Sequence, residues 1–218
     1  QLGHERPYEN NKGRSRGTVT FEAISGDDPI IFSIEMYKAR NHNNAGVEYT
    51  KNSPLRPQIA DPSRLFSVYV PGLTGIPHRE EYKSFGSILR MAAGGEANLV
   101  FRNIVYHLKE RDQIARLEDI TSAILSSKVE FQVKFNDAHD QFIEVSLSLN
   151  GGAALPVDLW GTGVLQVTQI AAYALLFEPT VLLIDEPDSH LHPSWQKTMA
   201  ATFDEIAQSL GCRIVITT

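Results

Sequence analysis

The run Val181-Leu182-Leu183-Ile184, followed at once by Asp185-Glu186-Pro187, restricts this chain more than any other stretch. Four consecutive large apolar residues predict a short strand buried on both faces, of the kind found inside a parallel sheet. Pro187 cannot continue a ladder, so the strand ends at the two carboxylates. Open parallel sheets bind ligands beyond the carboxyl ends of their strands. Adjacent Asp and Glu there suit a division of labour. The first carboxylate can hold a hard cation such as Mg²⁺ through water, and the second can polarise an attacking water. Taken alone, the run is equally well explained by a buried strand that ends in a solvated acidic turn.

Composition narrows the class without choosing a function. The 218 residues are 42% hydrophobic and 21% charged, the balance of a globular chain with a sizeable core. A net charge of −6 gives no global basic field for nucleic acid or an anionic membrane, though it leaves room for a local basic face. No apolar run reaches the roughly 18–20 residues of a membrane span, so no membrane partner is expected. Cys212 is the single cysteine, which excludes an internal disulfide and points to a reducing, cytoplasmic compartment. The chain starts at Gln1 without a signal-peptide pattern, and the expectation is a piece of a larger protein.

Residues 1–17 are polar and include the basic cluster Lys12, Arg14 and Arg16, read as a solvated end. Alternation over 18–24 and 30–37, across Gly26-Asp27-Asp28-Pro29, predicts an antiparallel hairpin. Residues 42–62 read as a loop with a short strand at 46–49. A strand over 65–70 runs into Pro71-Gly72 and a connector that lacks the Gly-Lys-Ser/Thr ending of a phosphate loop. Residues 80–127 read as helical, because Phe101, Ile104, Val105 and Leu108 fall on one stripe. Gly94-Gly95 and a phase break at Glu110-Arg111-Asp112 divide that segment. Its basic residues Arg102, Lys109, Arg111 and Arg116 are interleaved with acids and read as a solvated face. Alternation over 129–135 and 142–149 predicts a second hairpin. A stripe from Trp195 to Leu210 predicts a helix with Ser194 as N-cap and Gly211 as stop, ahead of a core strand at 213–218. The expected parts are a β-rich segment 1–79, a helical subdomain 80–127, and a segment 128–218 with the motifs and core strands.

The second motif, Asp158-Leu159-Trp160-Gly161-Thr162-Gly163-Val164-Leu165-Gln166, opens an apolar helix that runs to about Phe177. Glycines around a hydroxyl at a helix start leave backbone N–H groups free at the positive end of the dipole, an arrangement that attracts phosphate. Thr162 as the plain N-cap of a buried helix is the other reading. Together, this motif and the run Val-Leu-Leu-Ile-Asp-Glu-Pro-Asp-Ser-His-Leu-His-Pro at 181–193 resemble the signature and Walker B segments of ABC-type ATPases. The similarity is to the non-transporter branch of OLD, RecF, SMC-like and AAA-labelled proteins. Thr162 stands where serine is usual in that branch, and Val164-Leu165 replaces the second glycine and polar residue of the best-known signature.

The resemblance implies an α/β fold: a partial P-loop NTPase domain of ABC-ATPase type, with core strands and helices, antiparallel β hairpins and a helical subdomain. It implies ATP and Mg²⁺ as cofactors, with Asp185 toward the metal and Glu186 orienting or deprotonating the hydrolytic water. Trp160, Gly161, Thr162, Gly163 and Gln166 would close over the nucleotide held by a second subunit. Asp188 and His190 would couple the two sites across an ATP-dependent homodimer. That cycle would switch an attached effector such as a nuclease, or act on DNA, in DNA repair or phage defence. The sequence has no Gly-Lys dipeptide and therefore no Walker A loop. In the family that loop comes earlier, and a γ-phosphate-sensing histidine comes directly after the position of Thr218, so residues 1–218 alone are expected to be inactive. Two rivals stay open. One is a non-hydrolysing dimerisation scaffold, and the other is a metal-dependent nuclease using Asp185, Glu186, Asp188, His190 and His192.

Overall fold

The computed structural model describes residues 16–25, 28–38, 45–50, 56–59, 61, 63–72, 75–189 and 191–217. They belong to two units, Gln1–Asp61 and Pro62–Thr218. In the first unit, β1 (Arg16–Ser25), β2 (Asp28–Lys38) and β3 (Ala45–Tyr49) form an antiparallel sheet in that order. In the register, Val19 pairs with Ile34 and Phe21 with Phe32, the antiparallel hairpin that the alternation along both segments predicts. Phe32 is buried and its neighbour Ile31 exposed, as the pleat requires. One helical turn, α1 (Arg56–Ile59), follows. The basic cluster at Lys12 and Arg14 lies outside the described residues.

The second unit runs β4 (Ser67–Val70), α2 (Phe85–Ala93), α3 (Phe101–Glu110) and α4 (Ile114–Leu125). Next come β5 (Val129–Lys134), β6 (Glu144–Leu149) and the short β7 (Leu155–Pro156), paired antiparallel in sequence order. Helix α5 (Thr162–Phe177), β8 (Val181–Asp185), α6 (Pro193–Leu210) and β9 (Arg213–Thr217) complete it. Strands β4, β8 and β9 form a parallel sheet with β8 in the middle.

Helix α5 is apolar on nearly every side, and such a helix belongs inside. Apart from Thr162 and Leu165, all of its residues are buried. It ends where Glu178 takes a left-handed conformation, φ 41° and ψ 54°, with its N–H on the Ala174 carbonyl. The sheet buries Val68, Leu182, Val70 and Ile184 on one face. On the other face, Tyr69, Leu183 and Val215 stand abreast, and Tyr69 and Val215 remain 41% and 51% exposed. The expectation of a strand buried on both faces is thus met on one face of β8. Among the described residues, no helix is long and apolar enough to cross a membrane.

Three local expectations change. Residues 80–84 are extended rather than helical, and Glu81 forms a bridge to Phe142. The reason is the Glu80 carboxylate, which accepts from the Arg102 N–H at 3.0 Å and the Asn103 N–H at 3.2 Å and so satisfies the first turn of α3. Helix α6 starts at Pro193 with His192 as its cap, because proline is pre-set for the first helical position. Ser194 instead donates its N–H to His192 Nδ1 at 3.3 Å. Arg102 is not on a solvated face: it is 3% exposed, one position along from the apolar stripe that begins at Phe101.

Candidate functional site at the carboxyl ends of the parallel strands

Asp185 is the last residue of β8, and parallel pairing sets it beside Thr217 of β9. Its Oδ2 accepts a hydrogen bond from the Tyr69 hydroxyl of β4 at 3.1 Å, and its Oδ1 accepts one from the Thr217 hydroxyl. Both flanking strands thereby fix the carboxylate. The Tyr69 phenol is pushed above its ordinary value by burial, and further by the hydrogen bond and charge of Asp185. Gly72 follows β4 against the same spot. A Cβ there would stand 3.5 Å from the Asp185 carbonyl and 3.9 Å from Oδ2 and from Glu186 Cβ, ordinary contact distances, so the chain after β4 packs directly against the two carboxylates.

Glu186 has φ 41°, a left-handed conformation that a side-chain-bearing residue holds only when its surroundings fix it. Its N–H donates to the Thr217 carbonyl at 3.0 Å. Its carbonyl accepts from Gln166 Nε2 at 3.1 Å, Ser189 Oγ at 3.1 Å and the Ser189 N–H at 3.3 Å. The side chain is exposed, and among the described residues no hydrogen bond reaches its carboxylate. One carboxylate is therefore held and the next is free, on consecutive residues.

Asp188 lies in the turn that follows, half-buried, with its carbonyl accepting from Gln196 Nε2 at 3.0 Å. His190 lies outside the described residues. His192 caps α6 and meets the Trp195 ring edge-on at 6.4 Å. Among the described residues, no group of three or more His, Cys, Asp or Glu side chains could hold a metal ion.

The second motif is sorted by helix geometry. Gly161, rather than Thr162, is the N-cap of α5, and no side chain caps that helix end. Gly161 and Thr162 are exposed, and Gly163 and Gln166 are buried. The Trp160 indole N–H is shared between the carbonyls of Leu147 at 3.2 Å and Leu155 at 3.3 Å, so it clamps β6 to the segment leading into the helix. Just before it, Asp158 accepts from Arg102 at 2.5 Å and shares a hydrogen bond with His78 Nδ1 at 2.9 Å. Arg102 also donates to Glu80 at 3.4 Å and to the Pro77 carbonyl. The loop after β4 and the start of the motif thus hang on one buried guanidinium.

Sequence reasoning gave no site role to Tyr69, Thr217 or Ser189, and it read Arg102 as part of a solvated face. Tyr69 and Thr217 are hydroxyls with no motif of their own, found only by strand register, and Ser189 lies within the 181–193 run but shows its part only through the turn geometry. Arg102 carried a usable signal, since Arg102 and Val105 are three apart and share a helix face.

The donor set fits one part of an Mg²⁺–ATP site. Asp185 offers hard oxygen to a cation that keeps most of its waters, and the uncapped end of α5 offers N–H groups to phosphate. A lysine-bearing phosphate loop is not part of this sequence.

A family model described as "AAA domain, putative AbiEii toxin, Type IV TA system" matches residues 23–218. Among solved structures, the chain is similar to an SMC head bound to the C-winged helix domain of ScpA. The TM-score is 0.51 at 15% identity, over 94% of this chain and 66% of that one. It is also similar to an Smc head domain with an extended coiled coil, bound to the C-terminal domain of ScpA derived from Pyrococcus furiosus. Here the TM-score is 0.50 at 13% identity, over 94% of this chain and 70% of that one. At these identities the likeness shows the fold, that of the SMC-head P-loop ATPases. The chain spans just under two thirds of the first of these structures. No curated protein matches the sequence.

Proposed function

The chain belongs to this AAA domain family and has the fold of an ABC- and SMC-like ATPase nucleotide-binding domain, and on that footing we propose that it is the ATP-hydrolysing part of a cytoplasmic, OLD/RecF-like switch. The observation that carries the proposal is the pairing of a fixed Asp185 with a free Glu186 at the carboxyl end of β8. A metal ligand must be rigid, because cation geometry is fixed, and Asp185 is held from both sides. A general base must reach water, and Glu186 is exposed in a turn whose backbone is pinned. ATP supplies the scissile phosphoryl group, and Mg²⁺ the charge that offsets it.

Gly161 and Thr162 point their uncapped helix end outward, which suits the phosphates of a nucleotide held by a second copy. ATP would then close a homodimer, with Asp188 and His190 at the seam, and hydrolysis would open it. The attached effector would be a nuclease or a DNA-binding activity, in phage defence or DNA repair. Because no Gly-Lys dipeptide occurs, the β- and γ-phosphates would be held by residues outside 1–218, and this segment alone would not turn over ATP. That same absence favours a second reading, a non-hydrolysing dimerisation scaffold.

The test is ATP turnover by the full-length protein beside its Glu186→Gln variant. The expected result is Mg²⁺-dependent hydrolysis that falls by about 100-fold or more, the share a positioned base contributes. ATP binding is kept, and a dimer accumulates on a sizing column. A protein that binds no nucleotide, or a variant with unchanged turnover, removes the ATPase reading and leaves the scaffold. Nuclease activity that persists without ATP would instead favour the metal-dependent nuclease.

A further inference from the structure

Gln166 sits where a nucleotide bound by another subunit cannot touch it. It is 3% exposed, one turn inside α5, and its side chain turns inward to the end of β8. Its Nε2 donates to the Glu186 carbonyl at 3.1 Å across a sequence separation of 20. Only a donor can face a carbonyl oxygen, so the amide's orientation follows from its partner. Its Oε1 is buried and has no hydrogen-bond partner. A methionine or leucine would fill this space without stranding a polar atom, so packing alone does not explain the amide.

The acceptor it serves is unusual as well. Glu186 holds a left-handed backbone, and the contacts that keep it there come from β9, from Ser189 of its own turn and from α5. Together these contacts over-determine the strained turn, so loss of one of them loosens the hold on the backbone that aims the carboxylate. Thr162 and Gln166 are one turn apart on a helix buried along the rest of its length, so a shift at the exposed end carries Gln166 with it.

We propose that Gln166 is a positioning residue that ties the exposed Gly161–Thr162 end of α5 to the backbone of Glu186 in the same chain. Contact made at the outer end of the helix and the aim of the water-activating carboxylate are thereby set by one rigid element. This inference rests on the ATPase reading of Glu186. It gives the motif a role within its own subunit, in addition to the contact across a dimer.

The experiment uses the full-length protein carrying Gln166→Met, which removes the donor at nearly constant volume. Its kcat falls about 10- to 100-fold, the cost of a misplaced reacting group. The KM for ATP, ATP affinity by equilibrium titration, and ATP-dependent dimerisation stay at wild-type values. In the nucleotide-free protein, amide hydrogen exchange rises across residues 186–189. Ser189→Ala is an exposed change that leaves the core intact and removes a second donor to the same carbonyl, so it lowers kcat in the same direction. The double variant falls short of additivity, as for two groups acting on one atom.

Unchanged kcat and unchanged exchange in these variants overturn the inference. Impaired dimerisation at normal kcat also overturns it, by assigning Gln166 to the contact across subunits. If the wild type itself shows no ATP turnover, the ATPase reading is what has failed. The exchange measurement needs no nucleotide and still decides whether Gln166 holds the turn.

Discussion

Arg102→Met removes a guanidinium from a site that is 3% exposed, and the structure says which of its three acceptors suffers. Asp158 keeps its hydrogen bond to His78 at 2.9 Å and a side chain 15% open to water. The Pro77 carbonyl loses a charged donor. Glu80 loses most, because it is 4% exposed and Arg102 is its cation. What remains to Glu80 is neutral: the N–H groups of residue 102 at 3.0 Å and Asn103 at 3.2 Å, and the Asn103 amide at 3.2 Å. Breaking one side of a buried pair costs about 3–5 kcal/mol near neutral pH. At roughly 2–4 °C per kcal/mol for a chain of this size, the melting temperature falls by about 6–20 °C.

The loss has a pH signature. Burial already holds the Glu80 carboxyl above its ordinary value, against the lowering pull of its hydrogen bonds and of Arg102. Removing Arg102 raises it further. A carboxyl raised in the folded state binds its proton more tightly there than in the unfolded chain. Its favourable contribution is therefore complete below the unfolded value and is lost as pH rises through the folded one. The Arg102→Met penalty is accordingly smaller near pH 5 than near pH 8, as thermal and denaturant unfolding at the two pH values would show. A melting temperature unchanged at neutral pH, or a penalty that grows on acidification, refutes the claim that Arg102 compensates Glu80.

Two smaller perturbations test the site and the helix that positions it. Asp185→Asn lowers the Tyr69 phenol toward its ordinary value, though not all the way, since burial is the larger cause of its rise. The shift is read by NMR titration of the tyrosine ring carbons, and an unmoved Tyr69 shows that the hydrogen bond does not form in solution. Glu178→Gly at the left-handed end of α5 stabilises the fold by about 0.5–1 kcal/mol, because only glycine adopts that conformation without strain. A destabilised variant in denaturant unfolding would mean that the Glu178 side chain holds something the backbone geometry does not reveal.

The fold was readable wherever one residue's chemistry dictates the backbone. Alternation marked β1 with β2 and β5 with β6, and the breaks at Gly94-Gly95 and Gly211 ended α2 and α6. It was unreadable where a distant partner decides. Residues 80–84 have helical company, yet Glu80 is drawn to the first turn of α3, an N-terminus that nothing local satisfies. Leu155–Pro156 pairs with β6 over two residues, too short for any periodicity to register.

The site divides along the same line. Asp185 and Glu186 announce themselves because a strand must end there and carboxylates have few reasons to crowd such an end. The hydroxyls that hold Asp185 come from other strands, and their identity follows from register, which the sequence does not print. The signature-like motif is the sharper lesson. Read as a string, Trp160, Gly161, Thr162, Gly163 and Gln166 make one continuous ligand surface. Only Thr162, Gly163 and Gln166 belong to α5, and that helix enters the core within its first turn. Thr162 and Gln166 are four residues apart and on the same side, yet the first is exposed at the helix end and the second is already covered. Trp160 is spent on two carbonyls, and Gly163 and Gln166 face the core, which leaves Gly161 and Thr162 as the outward contact. It follows that substitutions at 161 and 162 should act on dimer closure and those at 166 on turnover, although the residues belong to one motif.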